Sequence, residues 1–370
     1  MIEQRFGEST PFSVGVEEEL MILDSETLEP RPAVKELLRA AEDLEHPGLL
    51  KTELHASVVE LNSGVCRSAP QAYERLVALR RTTAEAAESI GLSVAAAGSH
   101  PSADPESLVV MDNPRYHGFL DYAGVSARRQ GVNGLHVHVG MADGDECLKA
   151  LEGVLPWLPL VLALSANSPY VAGIETGLMS NRAEVLAQLP RSGAPPAFRS
   201  FAEWEEFVAR FRDSGIPLAK DYTSFWWDIR PHPRFGTLEI RMADQPTSLA
   251  LTCAFTALLQ ALCKHVVDDR PREYAAWERG VFQQNRWAAS RFGTAALLIH
   301  PDESRALPVA ELTAELLERI ASAAAELGGA ELLDAIDPTR CEAERQLEIG
   351  RSDGLEAATQ DLVKRSLQFG

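Results

Sequence analysis

The sequence predicts an α+β fold of one composite domain, strand-rich over 13–245 and helical over 247–370. Three observations predict it. Short runs with a side-chain period of two lie in the first two thirds of the chain. Long runs with helical periodicity fill the last third. The two kinds are segregated rather than alternating, which argues against a regular βα repeat. The C-terminal helices are expected to pack on the sheet.

Taken in order, the strand-like runs are Ser13–Leu23, Glu53–Asn62, Leu92–Gly98, Leu135–Gly140, Phe225–Arg230 and Thr237–Met242. The helix-like runs are Ala33–Leu44, Pro70–Ile90, Asp145–Leu151, Pro159–Asn167, Phe201–Arg212, Ser248–Asp268, Arg272–Ser290 and Val309–Leu327, with two more inside Pro338–Glu348 and Leu355–Ser366. Residues 190–199 and 101–131 carry Pro, Gly, Ser and Asn punctuation and read as irregular. A segment as long as the second is usually a lid or a binding segment.

The strands carry ionisable residues where a core strand would be apolar. In Val14–Ile22, the residues Val14, Val16, Leu20 and Ile22 share one face, while Glu17 and Glu19 share the other, about 7 Å apart. Three adjacent carboxylates repel one another, and cations would relieve them. Glu53 and Glu60 are seven residues apart, so a regular strand would point them to opposite faces. Serving one site would require a bulge or a bend. His136 and His138 share a face opposite Val137 and Val139. The run from Trp226 to Met242 reads as a hairpin, with Asp228 and Arg230 on one face of its first strand and Glu239 and Arg241 on one face of its second. Each feature alone also reads as a solvated strand face or a cross-strand salt bridge. Four such strands together are costly unless they line a wet, ion-filled cavity.

Charge sharpens that expectation. The chain has 370 residues and a formal charge of −19, which repels nucleic acid and anionic lipid. ATP would also be repelled unless metal ions or arginines gather locally. Mg²⁺ is usually held by a few carboxylates plus substrate phosphates. Glu17, Glu19, Glu53, Glu60 and Glu239 supply carboxylates; Arg129, Arg182, Arg230 and Arg241 are candidate phosphate clamps. The chain contains no GxxxxGK[ST] loop, GxGxxG after a strand, HExxH or GxSxG motif. Its five scattered cysteines suit small core residues rather than a disulfide framework or a zinc site. No basic-then-apolar leader and no long uncharged apolar run stands out, so a cytoplasmic address without membrane is the default expectation.

At these residues the sequence resembles the type 2 glutamate–cysteine ligases, also called carboxylate–amine ligases, a family grouped with glutamine synthetase and the guanidino kinases. The resemblance rests on VGVEEEL at 14–20, ELHASVVELNSG at 53–64, DNPRYHGF at 112–119, RRQGVNGLHVHVG at 128–140, ALSANSPYVAG at 163–173 and WWDIRPHPRFGTLEIRMADQPT at 226–247. It implies a curved, mainly antiparallel sheet shaped like a funnel, holding ATP and two or three Mg²⁺ ions, with Mn²⁺ a substitute. It further implies a metal and phosphate shell of Glu17, Glu19, Glu53, Glu60, His136 and Glu239. Arg241, Glu239 and His138 are the candidate catalytic residues. Arg230, Arg241, Arg129 and His136 are the candidate nucleotide contacts. Arg182, Ser165, Asn167 and Tyr116 are the candidate substrate contacts. One departure bears on substrate identity: around GIETGLMSNR, an acidic residue and an aromatic are expected, and this chain has Glu175 but Leu178.

The implied reaction activates a small carboxylate with ATP and joins it to an amine, glutamate and cysteine being the name-giving pair. His138 or a carboxylate is a candidate acceptor for the amine proton. The rival readings are a phosphotransferase of the guanidino-kinase type, a metal-dependent amide hydrolase without ATP, and a non-catalytic binding protein. Oligomeric state stays open, a homodimer being compatible.

Overall fold

The computed structural model describes residues 2–269, 275 and 277–369. Its centre is a seven-stranded sheet in which every pairing is antiparallel. The strands are β1 (Val14–Asp24), β2 (Leu49–Thr52), β3 (Val58–Asn62), β4 (Leu92–Ala95), β5 (Leu135–Gly140), β8 (Ile229–His232) and β9 (Thr237–Ile240). Two short strands between β5 and β8, β6 (Tyr170–Val171) and β7 (Ile174–Glu175), form a separate ribbon. Around β1 the order is β2-β3-β1-β5-β9-β8, and β4 also pairs with β1.

β1 organises this sheet because its two halves have different neighbours. Val14–Glu18 pair with β5, and Met21–Asp24 pair with β4. The amide of Glu19 falls between the two ladders and donates instead to Gln245 Oε1 at 3.0 Å. The alternation within β1 holds as expected. Val14, Val16, Leu20 and Ile22 are buried and belong to the main apolar cluster. Each such side chain withdrawn from water contributes about 1.5–3 kcal/mol.

Three helices cover that apolar face: Ala69–Ser89, Gly144–Val154 and Leu249–Asp268. The helix Val309–Glu326 packs on the last of them, and Leu355–Ser366 packs beside β4. Two helical stretches, Gly144–Ser165 and Leu249–Asp268, are long and apolar enough to cross a membrane by composition, but their apolar windows are 83% and 67% buried inside the protein. All five cysteines are free and buried, as core residues would be.

Glu18 points into this apolar side and is fully buried against Arg80, with contacts of 2.6 and 2.9 Å. Thr252 and Gln245 also donate to its carboxylate, at 2.8 and 3.0 Å. Arg80 reaches the carbonyls of Thr247, Pro246 and Ser366, tying the sheet to the chain that enters and ends the helical third. Of the three consecutive carboxylates, one is therefore a structural strut satisfied by arginine.

Several elements differ from the sequence-based expectation. The run expected as one strand over Glu53–Asn62 is strand only from Val58, and a new strand, β2, precedes it. Residues 53–57 are the connection between two paired strands. The segment 101–131 contains the helices Pro114–Ala123 and Val125–Arg128. Asn113 Oδ1 accepts from the Arg115 amide and Pro114 opens the first of these helices, a start signal that needs no apolar stripe. That helix buries none of its residues, so it left no periodicity to read. β8 begins four residues later than the expected run Phe225–Arg230 and continues through His232. The hairpin turn closes at Gly236, where φ is +66° and a Cβ would lie 2.2 Å from the Arg5 carbonyl oxygen. A ribbon of β10 (Leu297–Ile299) and β11 (Ala306–Pro308) interrupts the helical third. The expected helix Arg272–Ser290 is seen as Glu278–Phe292, its expected beginning lying outside the described residues.

Candidate active site

The strand registers assemble one polar face. Glu17 stands opposite Asn62 on β3 and His136 on β5. Glu19 stands opposite Glu60, which stands opposite Lys51 on β2. His138 stands opposite Glu239 on β9, which stands opposite Arg230 on β8. Period-two geometry puts each row on the side away from the helices. Glu53 joins them because the chain leaves its ladder after Thr52 and turns before re-entering at Val58. A break, rather than a bulge within one strand, is what lets residues seven apart reach one cavity. That cavity, of about 360 Å³, is lined by Glu17, Glu19, Glu53, Glu60, His136 and Glu239, together with Tyr116, His138, Arg182, Arg230 and Arg241.

The groups interlock. Glu17 lies 3.3 Å from His136 Nδ1 and accepts from Asn62 Nδ2 at 2.9 Å. Glu239 accepts from Arg230 at 2.6 and 3.2 Å and from Arg241 Nη1 at 2.5 Å. Lys51 Nζ is 3.0 Å from Glu60. Glu19 accepts from the Gly134 amide at 2.5 Å. His138 Nδ1 meets Thr237 Oγ1 at 2.9 Å. Arg182 is buried and donates to the carbonyls of Met242 and Arg241 at 3.2 and 3.0 Å. It passes directly over Gly134, where a Cβ would sit 2.1 Å from its Nη2. Glycine there is a packing requirement for the guanidinium.

These contacts split the carboxylates into two classes. Burial raises the Glu17 carboxyl, but hydrogen bonds and charge from His136 and His138 outweigh it and hold it well below the usual range. Burial is likewise outweighed at Glu239 by Arg230 and Arg241, and that group is also held well below. Glu19 is pushed up to about 7 by burial, with the charge of Glu60 adding to it and Arg182 and the Gly134 amide opposing. Glu53 is pushed well above its ordinary value by burial and then by the charges of Glu19 and Glu60. Burial, helped by Arg241, depresses His136 to about 4 and keeps it neutral at pH 7. Burial opposes the charged form of His138, but Glu17 prevails and raises it.

This arrangement fits a hard divalent cation. Ligand atoms of Glu17, His136 and Glu239 lie within 4.8 Å of one another. Glu19, Glu53 and Glu60 form a second group in which burial, and then mutual repulsion, makes two carboxyls resist ionisation. Oxygen-rich sets of this kind suit Mg²⁺ with phosphate oxygens completing the shell. Arg241 Nη1 now lies between Glu239 and His136 Nδ1, 3.4 Å from the latter, and supplies positive charge there.

Three candidates named from the sequence lie elsewhere. Arg129 is half exposed, pairs with Glu106 at 2.9 Å and lines a neighbouring cavity of about 300 Å³. Ser165 is buried and donates to Leu162. Asn167 is fully buried and bonded to Gln245, Thr247 and Gln346. Asn167 stands behind the site: Asp244 accepts from the Asn167 amide and the Ser168 and Ser180 hydroxyls, and lies 3.9 Å from Arg182. Glu175 pairs with Arg351 on the surface. Sequence reasoning missed Lys51 and Asn62, which only the β2–β3 and β1–β3 registers reveal. It also missed the aromatic wall of Phe119 and Trp226.

Comparison with known proteins gives the family. Residues 13–348 match the family model for glutamate–cysteine ligase family 2. A protein of Rubrobacter xylanophilus provisionally named glutamate–cysteine ligase 2-3 is 36% identical over 353 residues, covering 95% of this chain and 92% of that protein. One from Herpetosiphon aurantiacus, provisionally named glutamate–cysteine ligase 2, is 32% identical, covering 97% and 94%. Among solved structures, the fold is similar to a glutamate–cysteine ligase of Francisella tularensis in complex with AMP, with a TM-score of 0.71, 13% identity, and coverage of 97% of this chain and 89% of that one. It is also similar to part of a bifunctional glutathione synthetase of Pasteurella multocida, with a TM-score of 0.66, 17% identity, and coverage of 96% and 52%. The chain therefore belongs to glutamate–cysteine ligase family 2, a family of ligases that join a carboxylate to an amine.

Proposed function

We propose that this chain uses Mg-ATP to activate a small carboxylate as an acyl phosphate and passes the acyl group to an amine. The observation that carries the reading is the cavity over the polar sheet face in which five glutamates, His136 and four arginines meet. Glu17, His136 and Glu239 would hold one divalent ion, and Glu19, Glu53 and Glu60 another. Bound there, such ions would offset the charge of the phosphates.

A second cavity of about 350 Å³ shares Glu17, His138 and Phe235 with the first and adds Arg5, Lys51 and Arg234 beside Leu49 and Val65. Its cations and apolar side chains suit a nucleotide whose phosphates point at the carboxylates. A carboxylate oxygen of the substrate attacks the γ-phosphorus, and the bond to the ADP oxygen breaks. The amine nitrogen then attacks the acyl carbon, and phosphate leaves with the carbon–oxygen electron pair. His138 or a carboxylate on the same face takes the amine proton.

The protein's own contribution is positioning and charge. Arg230 fixes Glu239, and Arg241, beside Glu239 and His136, would offer its guanidinium to the transferring phosphoryl group. Arg182, locked on backbone carbonyls, presents positive charge to Glu19 and the cavity. The test is product analysis by mass spectrometry, with Mg-ATP and pooled carboxylates and amines including glutamate and cysteine. ADP, free phosphate and an adduct lighter by one water than its two components are the expected products. A phosphorylated compound without free phosphate would replace the reading with a phosphotransferase. No ATP turnover in any mixture would overturn it.

A further inference from the structure

The two walls of the active cavity differ in chemistry. Every acidic residue that lines it lies on the sheet or in the 53–57 connection: Glu17, Glu19, Glu53, Glu60 and Glu239. The opposite wall comes from the helices Pro114–Ala123 and Asn181–Ala187 and from residues 189–226. Its principal surfaces are Tyr116, Phe119, Leu186, Leu189, Leu218 and Trp226. It bears no carboxylate; its cations are Arg115, exposed at the rim, and Arg182, buried and held on the carbonyls of Met242 and Arg241.

The aromatic part of that wall is built for contact. Phe119 and Trp226 pair with ring centroids 5.2 Å apart and planes at 36°. Arg191 stacks behind Trp226, 5.5 Å from its ring centre, and is itself held by the carbonyls of Ser224 and Leu218. Phe119 projects from a helix that buries none of its residues. Its half-buried ring therefore serves the cavity and is not needed to anchor that helix in a core.

We infer that the amine substrate of this chain is a primary amine with an aromatic or branched aliphatic body, received between Phe119, Trp226 and the three leucines. The inference rests on the ligase reading above. A diamine would bring its second ammonium to a wall that carries Arg115 and Arg182 and no carboxylate, and a small polar amine would leave the aromatic and leucine surfaces unfilled. The same wall assists the chemistry. Desolvation disfavours the ammonium form of a bound amine, so an apolar surround yields more of the neutral nucleophile beside the acyl phosphate. The nucleotide is left to the adjoining cavity that Arg5, Lys51 and Arg234 line.

The experiment compares amines as acceptors with the full-length protein, Mg-ATP and a carboxylate pool. The panel is 2-phenylethylamine, 3-methylbutylamine, glycine, cysteine, putrescine and hydroxylamine. The expected result is a kcat/KM for the first two at least about tenfold above that for glycine or putrescine. Phe119→Ala should lower the preference for 2-phenylethylamine over hydroxylamine by about 10–100-fold. Phe119→Leu, which keeps an apolar side chain, should restore preference for 3-methylbutylamine. Calorimetric titration of 2-phenylethylamine into the nucleotide-free protein gives a readout independent of turnover, and Phe119→Ala should weaken that binding. Preference for glycine, cysteine or putrescine would overturn the inference while leaving the ligase reading intact. So would a Phe119→Ala variant whose KM rises for ATP but not for the amine, since the rings would then hold the purine. If no mixture turns over ATP while 2-phenylethylamine still binds through Phe119, the ligase reading fails and the pocket stands as a binding site only; absence of both overturns the two together.

Discussion

Replacing Glu19 by glutamine should make the metal-free protein more stable and less active. The Glu19 carboxyl is raised from 4.5 to about 7 by burial and by the charge of Glu60. Because the folded value lies above the unfolded one, the native state holds this proton more tightly. Its favourable contribution is complete below about pH 4.5 and is lost as pH rises through about 7. At 1.36 kcal/mol per pH unit, the gap between 4.5 and about 7 costs the ionised native state roughly 3 kcal/mol at neutral pH and above. Glutamine keeps an oxygen for the Gly134 amide and carries no charge. The ceiling on the gain is thus about 3 kcal/mol. With an unfolding entropy of about 2.1 cal/mol/K per residue over 370 residues, that is about 4 °C in Tm. Differential scanning calorimetry of both proteins in chelator, from pH 5 to 8, measures it. The difference should be small at pH 5 and grow toward pH 8, and Mg²⁺ should stabilise the wild type more than the variant. A variant less stable than wild type at pH 8, or a difference independent of pH, would refute the account of why Glu19 is held high.

Other perturbations separate structural charge from functional charge. Glu239→Gln weakens the buried carboxylate shared by Arg230, itself buried, and Arg241, which is partly so. It should cost about 3–5 kcal/mol in chemical denaturation as well as ATP turnover. Glu60→Gln should remain as stable as wild type, because its partner Lys51 is 42% exposed, and yet lose turnover; full activity in both variants would dismiss the carboxylate shell. His232 is depressed to about 4 by burial, so the unfolded chain takes up its proton first as pH falls. Stability from this group is present above about pH 6.5 and lost between about 6.5 and 4, and His232→Phe, which can keep the stacking on Phe235, should flatten acid unfolding in that window.

Much of this site was legible because a strand reports its faces in sequence. Glu17 and Glu19, His136 and His138, and Glu239 and Arg241 each announce a shared side by spacing alone. Glu53 was legible as an anomaly but not as geometry. Its route to the cavity depends on β2, a four-residue strand with no apolar alternation, whose only strong signal is its pairing with β3. The helix that carries Tyr116 and Phe119 was illegible for a related reason. It packs no stripe into the core, so its start signal had no periodicity to support it. Ser165 and Asn167 show a different limit. A motif marks residues a site depends on, without distinguishing the group that faces the cavity from the one that braces it. Asn167 and Ser168 act on Asp244, and Asp244 acts on Arg182.

Glu18 shows why the run of three glutamates is informative beyond its charge. On the helix-covered side, the protein neutralises one carboxylate completely, using Arg80, Thr252 and Gln245. The means to silence a buried carboxylate are thus available within one residue of Glu17 and Glu19. On the cavity side, Arg230 and Arg241 converge on Glu239, while Glu19 and Glu53 stay close together with their carboxyls pushed upward. A fold selected only for stability would extend the Arg80 solution across the sheet. Leaving two buried carboxyls to repel one another makes the empty cavity the costly state. Any divalent ion and its attendant phosphates then gain affinity from relief of that repulsion, a free-energy difference that the chain has stored in its own strand register.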